Sequence, residues 1–220
     1  ATRLADDRRR LSELRLGELD LRSSLTLSYR SLPPAAARAL RLLAQLEAPD
    51  FAAWTAMPLL QAGRDEAEEL VDTLAEAYLV DPVGTDATGC VRYRMHDLVR
   101  LHAREMSAAE DTDAERRAAL TRLAGAWLAV AERANARNGG WELPTIGNPA
   151  PRYPLPPALV DELTARPLDW FDAERAGVVA LVETCHDLGL AAHAWGLAAA
   201  CGGFFDARGY YDDGLRLFAL

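Results

Sequence analysis

The sequence has 220 residues, half of them hydrophobic, and its 24 basic residues against 33 acidic ones give a formal net charge of -9. A chain of this length can bury one good core or two small ones, so we expect an ordinary soluble protein. The acidic balance opposes nonspecific attraction to phosphate backbones and to anionic membranes, which argues against nucleic acid and lipid surfaces as default partners.

The cysteines and the ends of the chain indicate its cellular setting. Cys90, Cys185 and Cys201 are widely spaced and lack metal-ligand spacing to a histidine, which favours free thiols in a reducing compartment. No apolar run is long enough to span a bilayer and no signal peptide is recognisable, so we predict a cytoplasmic protein with no membrane partner. Because the sequence lacks an initiator Met, we expect it to be a fragment of a longer protein.

The first third of the sequence is patterned as short helices. Residues 4–16 indicate a solvated helix, and residues 25–32 indicate a second one that ends at two prolines. A third begins at the second proline and reaches residue 46, since proline at a helix start loses no hydrogen bond. Residues 51–60 predict another short helix, and residues 65–78 predict a stronger one. The apolar face of this last helix is predicted from a spacing of four residues: Leu70, Leu74 and Tyr78.

After residue 78 the pattern changes from helical to extended. Residues 79–83 and 90–94 flank a polar turn, which predicts a β-hairpin. Three helices followed by a hairpin is the order of a winged helix, so we predict that the hairpin is its wing. A helix over residues 97–106 should follow, and Asp97 suits its start because a carboxylate can accept hydrogen bonds from the free N–H groups of a first turn.

The second half of the sequence is predicted to be helical apart from one segment. A long helix is expected over residues 113–137, whereas the density of proline and glycine in residues 138–157 excludes regular structure. Short helices that meet at glycine turns then resemble the start of a tetratricopeptide array. The predicted fold is therefore mainly α: a winged-helix domain with a β-hairpin wing, followed by an α-helical, tetratricopeptide-like region.

Three stretches carry a family resemblance: residues 25–46, 92–105 and 170–220. Residues 92–105 contain the tripeptide Met95-His96-Asp97 and resemble the winged-helix end of the nucleotide-binding core in signal-transduction ATPases with numerous domains, the STAND or NB-ARC class. Together the three stretches resemble AfsR-type members of the Streptomyces antibiotic regulatory protein family and their actinobacterial relatives.

The resemblance implies a domain order for the parent protein. A DNA-binding and transcription-activating region would precede an ATPase core, a winged helix and tetratricopeptide repeats. On that basis the chain divides into five segments: the end of the NB-ARC helical subdomain (1–24), the winged helix (25–106), a connecting helix (107–137), a linker (138–157) and the first repeat-like helices (158–220).

The resemblance also implies a nucleotide-sensing site. His96 would reach the β-phosphate of ADP bound in the upstream core and hold that core closed, while Met95 and Asp97 belong to the same motif. ADP or ATP with magnesium would thus be the cofactor of the parent protein. This chain has no G-x-x-x-x-G-K-[ST] phosphate loop, so we predict no catalytic residue, no metal site, no enzymatic activity and no bound cofactor for the chain alone.

Arginines near the motif are candidates for contacts with phosphate or with other domains: Arg92, Arg94 and Arg100. The implied partners are the upstream nucleotide-binding domain and a protein effector bound by the repeat-like helices. DNA would be contacted only through other domains of the parent protein, and an oligomeric parent is compatible with the resemblance.

Two alternatives to nucleotide sensing remain open, a DNA-binding winged helix and a module for protein–protein interaction alone. A winged helix commonly places its third helix in the major groove. Here that helix carries six carboxylates against one arginine, which repels phosphate, although the arginines of the wing and of the helix after it leave a contact to the DNA backbone open.

Overall fold

The computed structural model describes residues 19–139 and 147–218, so the helix predicted over residues 4–16 lies outside the described residues. Within the described part, no helix combines the length and the apolar character needed to cross a bilayer. In chain order the helices are α1 (Leu19–Ser31), α2 (Pro34–Leu43), α3 (Ala56–Leu60), α4 (Arg64–Glu76), α5 (Asp97–Glu110), α6 (Asp113–Arg137), α7 (Pro157–Leu163), α8 (Pro167–Asp187), α9 (Ala191–Arg208) and α10 (Tyr211–Phe218). The strands are β1 (Phe51–Ala52), β2 (Asp81–Thr85) and β3 (Val91–Arg94).

The elements within residues 34–94 have the order predicted for a winged helix, while the predicted domain bounds of 25–106 stay a prediction. They follow in the order α2, β1, α3, α4, β2 and β3, and β3 is the central strand of an antiparallel sheet between β1 and β2. The wing is the hairpin of β2 and β3, in which Thr85 pairs with Val91. The prediction of a mainly α fold with a β-hairpin wing is confirmed.

The prediction of a helix over all of residues 51–60 is wrong in its first part. Phe51 and Ala52 form β1, where Phe51 pairs with Tyr93 and the two rings stack at a centroid distance of 6.2 Å. A 3-10 turn, Ala53–Thr55, then leads into α3. Because the partner of β1 lies about forty residues further along the chain, the local pattern could not indicate this strand.

Helix α4 buries part of the predicted face: Leu74 is fully buried and Leu70 packs against the core, but Tyr78 does not join them. Its fully buried residues are Ala67, Val71 and Leu74. Tyr78, which was predicted to join this face, lies beyond the end of the helix and is 87% exposed. There the chain turns through a left-handed conformation with φ of 56°, which lets the Leu79 N–H donate to the Leu74 carbonyl at 2.9 Å.

Replacing Tyr78 with glycine should raise the free energy of unfolding by roughly 0.5–1 kcal/mol, because the left-handed conformation is costly for a residue with a Cβ. Urea unfolding followed by circular dichroism would measure the gain. Tyr78→Ala is the control, since it removes the same ring but keeps the Cβ and should bring no such gain. Equal gains in both variants would assign the effect to the exposed ring rather than to the backbone.

Helix α6 joins the winged helix to the second half of the protein. It packs against α3 on one side and against α8 and α9 on the other. Its Trp127 is fully buried and contacts Trp54 of the winged helix at a ring-centroid distance of 5.6 Å. Gly177 of α8 lies directly over the same indole, where an added Cβ would come within 2.4 Å of it. One core therefore runs from the winged helix into the helical region.

Residues 147–156 have no regular structure, as their proline content predicts, but hydrogen bonds hold them against α6 and α9. Asn148 donates from Nδ2 to the Ala192 carbonyl of α9 at 2.9 Å, and Nε2 of His193 lies 3.1 Å from the Pro151 carbonyl. Ala150 is also buried. We call this segment the strap. The five-segment division of the chain stays a prediction.

Candidate functional site

The tripeptide Met95-His96-Asp97 connects the central strand of the sheet to α5. Met95 is 2% exposed and packs into the core, whereas His96 and Asp97 are exposed. His96 has an extended backbone (φ of -62°, ψ of 144°) immediately before the first helical residue. Two polar side chains thus project from a turn that is anchored on the inside by methionine.

His96, and not Asp97, caps α5. The Leu98 N–H donates to Nδ1 of His96 at 3.3 Å, while Asp97 is already the first helical residue, so the predicted capping role of Asp97 is wrong. Its carboxylate still lies in the first turn, where negative charge interacts favourably with the helix dipole.

The cap also determines which ring nitrogen of His96 can donate a hydrogen bond. A nitrogen that accepts a hydrogen bond carries no proton, so the proton of the neutral His96 ring is on Nε2. The exposed imidazole can therefore donate one hydrogen bond to an anion near the start of α5.

The three candidate arginines differ in availability. Arg100 donates to the carbonyls of Leu46 and Ala48, the latter at 2.9 Å. Arg92 is 7% exposed and pairs with carboxylates. Arg94 is exposed, and among the described residues its side chain is the only one of the three without a partner. Arg94 is thus the candidate best placed to contact a phosphate or another domain.

Arg92 links the wing to the helical region. Its guanidinium donates to both carboxylate oxygens of Glu174 in α8, at 2.7 and 3.1 Å. It also contacts Asp50, just before β1, at 2.8 Å and Asp86, in the turn of the wing, at 3.5 Å. Burial raises the pKa of the Glu174 carboxyl, and the charge of Arg92 opposes this shift.

Sequence reasoning missed Glu174, although a signal was present. The apolar face of α8 includes Trp170, Phe171 and Val178, and helical periodicity places residue 174 on that same face. A carboxylate at a position that the pattern predicts to be buried requires a buried partner.

The surface of α4 bears on the DNA-binding alternative. Its six carboxylates are exposed, and its arginine, Arg64, is bound to Glu162 of α7 at 2.7 Å and to Glu68 at 2.9 Å. Glu68 and Glu162 also line a cleft of about 250 Å³ between α4, the wing and α7. The helix that a winged helix commonly inserts into the major groove therefore presents negative charge.

Comparisons with known proteins give two curated relatives. The chain is 35% identical over 194 residues to the regulatory protein AfsR of Streptomyces griseus, which covers 86% of this chain and 19% of that protein. It is 36% identical over 186 residues to the regulatory protein AfsR of Streptomyces coelicolor, covering 83% of this chain and 18% of that protein. The chain thus spans about a fifth of the length of these relatives.

Other comparisons give no match. No protein-family profile matches the chain, and no solved structure shows significant similarity to it. The two relatives agree with the resemblance drawn from the sequence: over most of its length this chain is similar to one segment of AfsR-type regulatory proteins.

Proposed function

We propose that the chain is the nucleotide-sensing and coupling segment of an actinobacterial transcriptional regulator. Its winged helix would read ADP or ATP in an upstream nucleotide-binding core and pass that state to the tetratricopeptide-like helices and their protein effector. The observation that carries the proposal is the His96 turn, which fixes an exposed N–H donor at the start of a helix. The similarity to two proteins named as regulatory supports it.

The chain's own part in this function is binding and not chemistry. His96 would donate from Nε2 to the β-phosphate of ADP, and the buried Met95 would hold the turn that orients it. A hydrogen bond to a charged group contributes roughly 1.5–3 kcal/mol. If the bond forms in only one of two states, that energy changes their ratio by about one to two decades. Hydrolysis, with magnesium, would belong to the upstream core.

The proposal assigns partners accordingly. Arg94 would face the nucleotide-binding core, because its side chain is exposed one residue before the motif. DNA would be contacted by other domains of the parent protein, which agrees with the acidic surface of α4. A regulator of this kind would act in the cytoplasm.

The test uses the longer protein that contains this chain and its nucleotide-binding core. His96→Asn should speed ADP release by roughly tenfold or more, because the shorter asparagine side chain ends well before the position of Nε2 and its amide N–H cannot reach the phosphate. Asparagine is itself a good helix cap, so the thermal stability of this variant should stay close to that of the parent protein. Stopped-flow release of a fluorescent ADP analogue and thermal unfolding would measure the two quantities.

His186→Asn is the matched control, since His186 is exposed near the end of α8, away from the motif. It should leave ADP release unchanged. If His96→Asn also releases ADP at the parental rate while His96→Ala only lowers stability, then His96 is a helix cap and the sensing proposal fails.

A further inference from the structure

We propose that Arg92 and Glu174 are positioning residues that couple the helical region to the Met95-His96-Asp97 turn. While α8 is docked, their ion pair would hold β3 and therefore the turn in place, and a displacement of α8 would release both. The inference rests on the proposed function for its consequence, because it names what regulates the sensing turn. The structural coupling itself can be tested without nucleotide.

The ion pair of Arg92 and Glu174 can form only while α8 lies against the wing. The side chain of Arg92 is 8% exposed and that of Glu174 is 2% exposed, so neither charge is solvated by bulk water. A buried charge that loses its partner is strongly unfavourable, which makes this contact sensitive to the position of α8. The same guanidinium also bonds Asp50, just before β1, and Asp86, just after β2. Arg92 therefore connects α8 to both strands that flank β3.

Strand β3 connects Arg92 to the Met95-His96-Asp97 turn over only a few residues. The backbone of Arg92 pairs with Ala52 of β1 and with Gly84 of β2. The next residue, Tyr93, donates from its hydroxyl to Asp72 of α4 at 3.0 Å. Met95, which follows the last residue of the strand, is buried and precedes His96 directly. No flexible segment therefore separates Arg92 from His96, and a shift of β3 at Arg92 should also shift the turn.

Helix α8, which carries Glu174, is also well packed. Helix α8 packs against α6, α9 and α10, and its Gly177 lies against the ring of Trp127. Glu174 is one turn earlier on the same helix. A partner that displaces α8 from α6 would thus move Glu174 relative to Arg92.

A second ion pair between the two halves serves as the control. Arg64 of α4 binds Glu162 of α7, but these side chains are 43% and 49% exposed, and α4 does not lead into the turn. Exposed pairs contribute little, so breaking this one should leave the turn unchanged. A control for lost stability is Asp111, whose side chain is 7% exposed and pairs with Arg41 away from α8.

Hydrogen exchange measured by mass spectrometry on this chain tests the coupling. Glu174→Gln should speed exchange of amides in residues 93–98 by roughly tenfold or more, because the strand loses its anchor. Arg92→Gln should do the same, and the double variant should exchange no faster than the faster single one. Glu162→Gln should leave these amides as they are. If Glu174→Gln does not fold, Arg92→Lys tests the same contact, because lysine cannot bind several carboxylates with one planar group.

Asp111→Asn separates coupling from general destabilisation. It should lower the melting temperature while changing exchange in residues 93–98 less than Glu174→Gln does. Equal acceleration in both variants, or additive effects of Arg92→Gln and Glu174→Gln, would overturn the coupling. Since no nucleotide is present, that outcome would leave the sensing role of His96 intact. Unchanged ADP release in His96→Asn would instead remove the proposed function and leave the coupling standing.

Discussion

Replacing Arg41 with methionine is expected to lower the free energy of unfolding by about 3–5 kcal/mol, because it leaves buried carboxylate charge without its partner. Arg41 donates from Nε and Nη2 to both oxygens of Asp111, at 2.8 and 2.9 Å. Its Nη1 also donates to Glu110 and to the Tyr29 hydroxyl, both at 2.7 Å. This network fastens α1 and α2 to the end of α5. Guanidinium chloride unfolding at neutral pH would measure the loss.

The effect of Arg41→Met should depend on pH. Burial alone would raise the pKa of Asp111, but the hydrogen bonds from Arg41 and Ser107 hold it below its usual value. A carboxyl whose pKa is lowered by folding stabilises the protein above its unfolded pKa, near 3.8, and loses that contribution as the pH falls through the lower folded value. The difference between the variant and the parent chain should therefore shrink below about pH 4.

Arg133→Met is the control for the loss of an arginine. Arg133 pairs with Asp161, and these side chains are 50% and 54% exposed, so the expected loss is less than about 1 kcal/mol. Similar losses for Arg41→Met and Arg133→Met would mean that the Arg41 network contributes no more than a surface pair.

Replacing Gly125 with alanine should lower the free energy of unfolding by about 2–3 kcal/mol, although glycine to alanine inside a helix normally stabilises. A Cβ at this position of α6 would lie 2.6 Å from the Pro151 carbonyl oxygen and 2.9 Å from the Tyr153 nitrogen. Both are backbone atoms of the strap, so no rotamer change can relieve the clash. Thermal and urea unfolding would give the size of the loss.

Gly214→Ala is the matched control in another helix. An added Cβ in α10 would meet the Cβ of Phe205 at 3.6 Å, which is ordinary contact. This variant should gain roughly 0.5–1 kcal/mol from the helix preference of alanine. A gain in both variants would show that the strap does not press against α6 in solution.

The sequence determined those elements whose signals are local. Pro34 begins α2 at the expected residue, and α6 spans the predicted residues 113–137, with Thr112 and Glu115 forming a capping box. The hairpin and the position of the Met95-His96-Asp97 turn were also predictable, because the change of period and the polar turn lie within a few residues of each other. The resemblance of residues 92–105 to the STAND class made His96 the candidate sensor, which stays a prediction.

Tertiary structure decided what depends on residues far apart in the chain. Strand β1 exists because β3 pairs with it, and Tyr78 is exposed because α4 ends before it. Long-range packing also decided which of the three candidate arginines is available. Arg92 binds Glu174 and Arg100 binds backbone carbonyls, whereas Arg94 is exposed. A sequence records which residues can carry charge or bury apolar surface. Which of them meet is set by the packing of distant helices, and that is why the link between the wing and α8 could only be found in the structure.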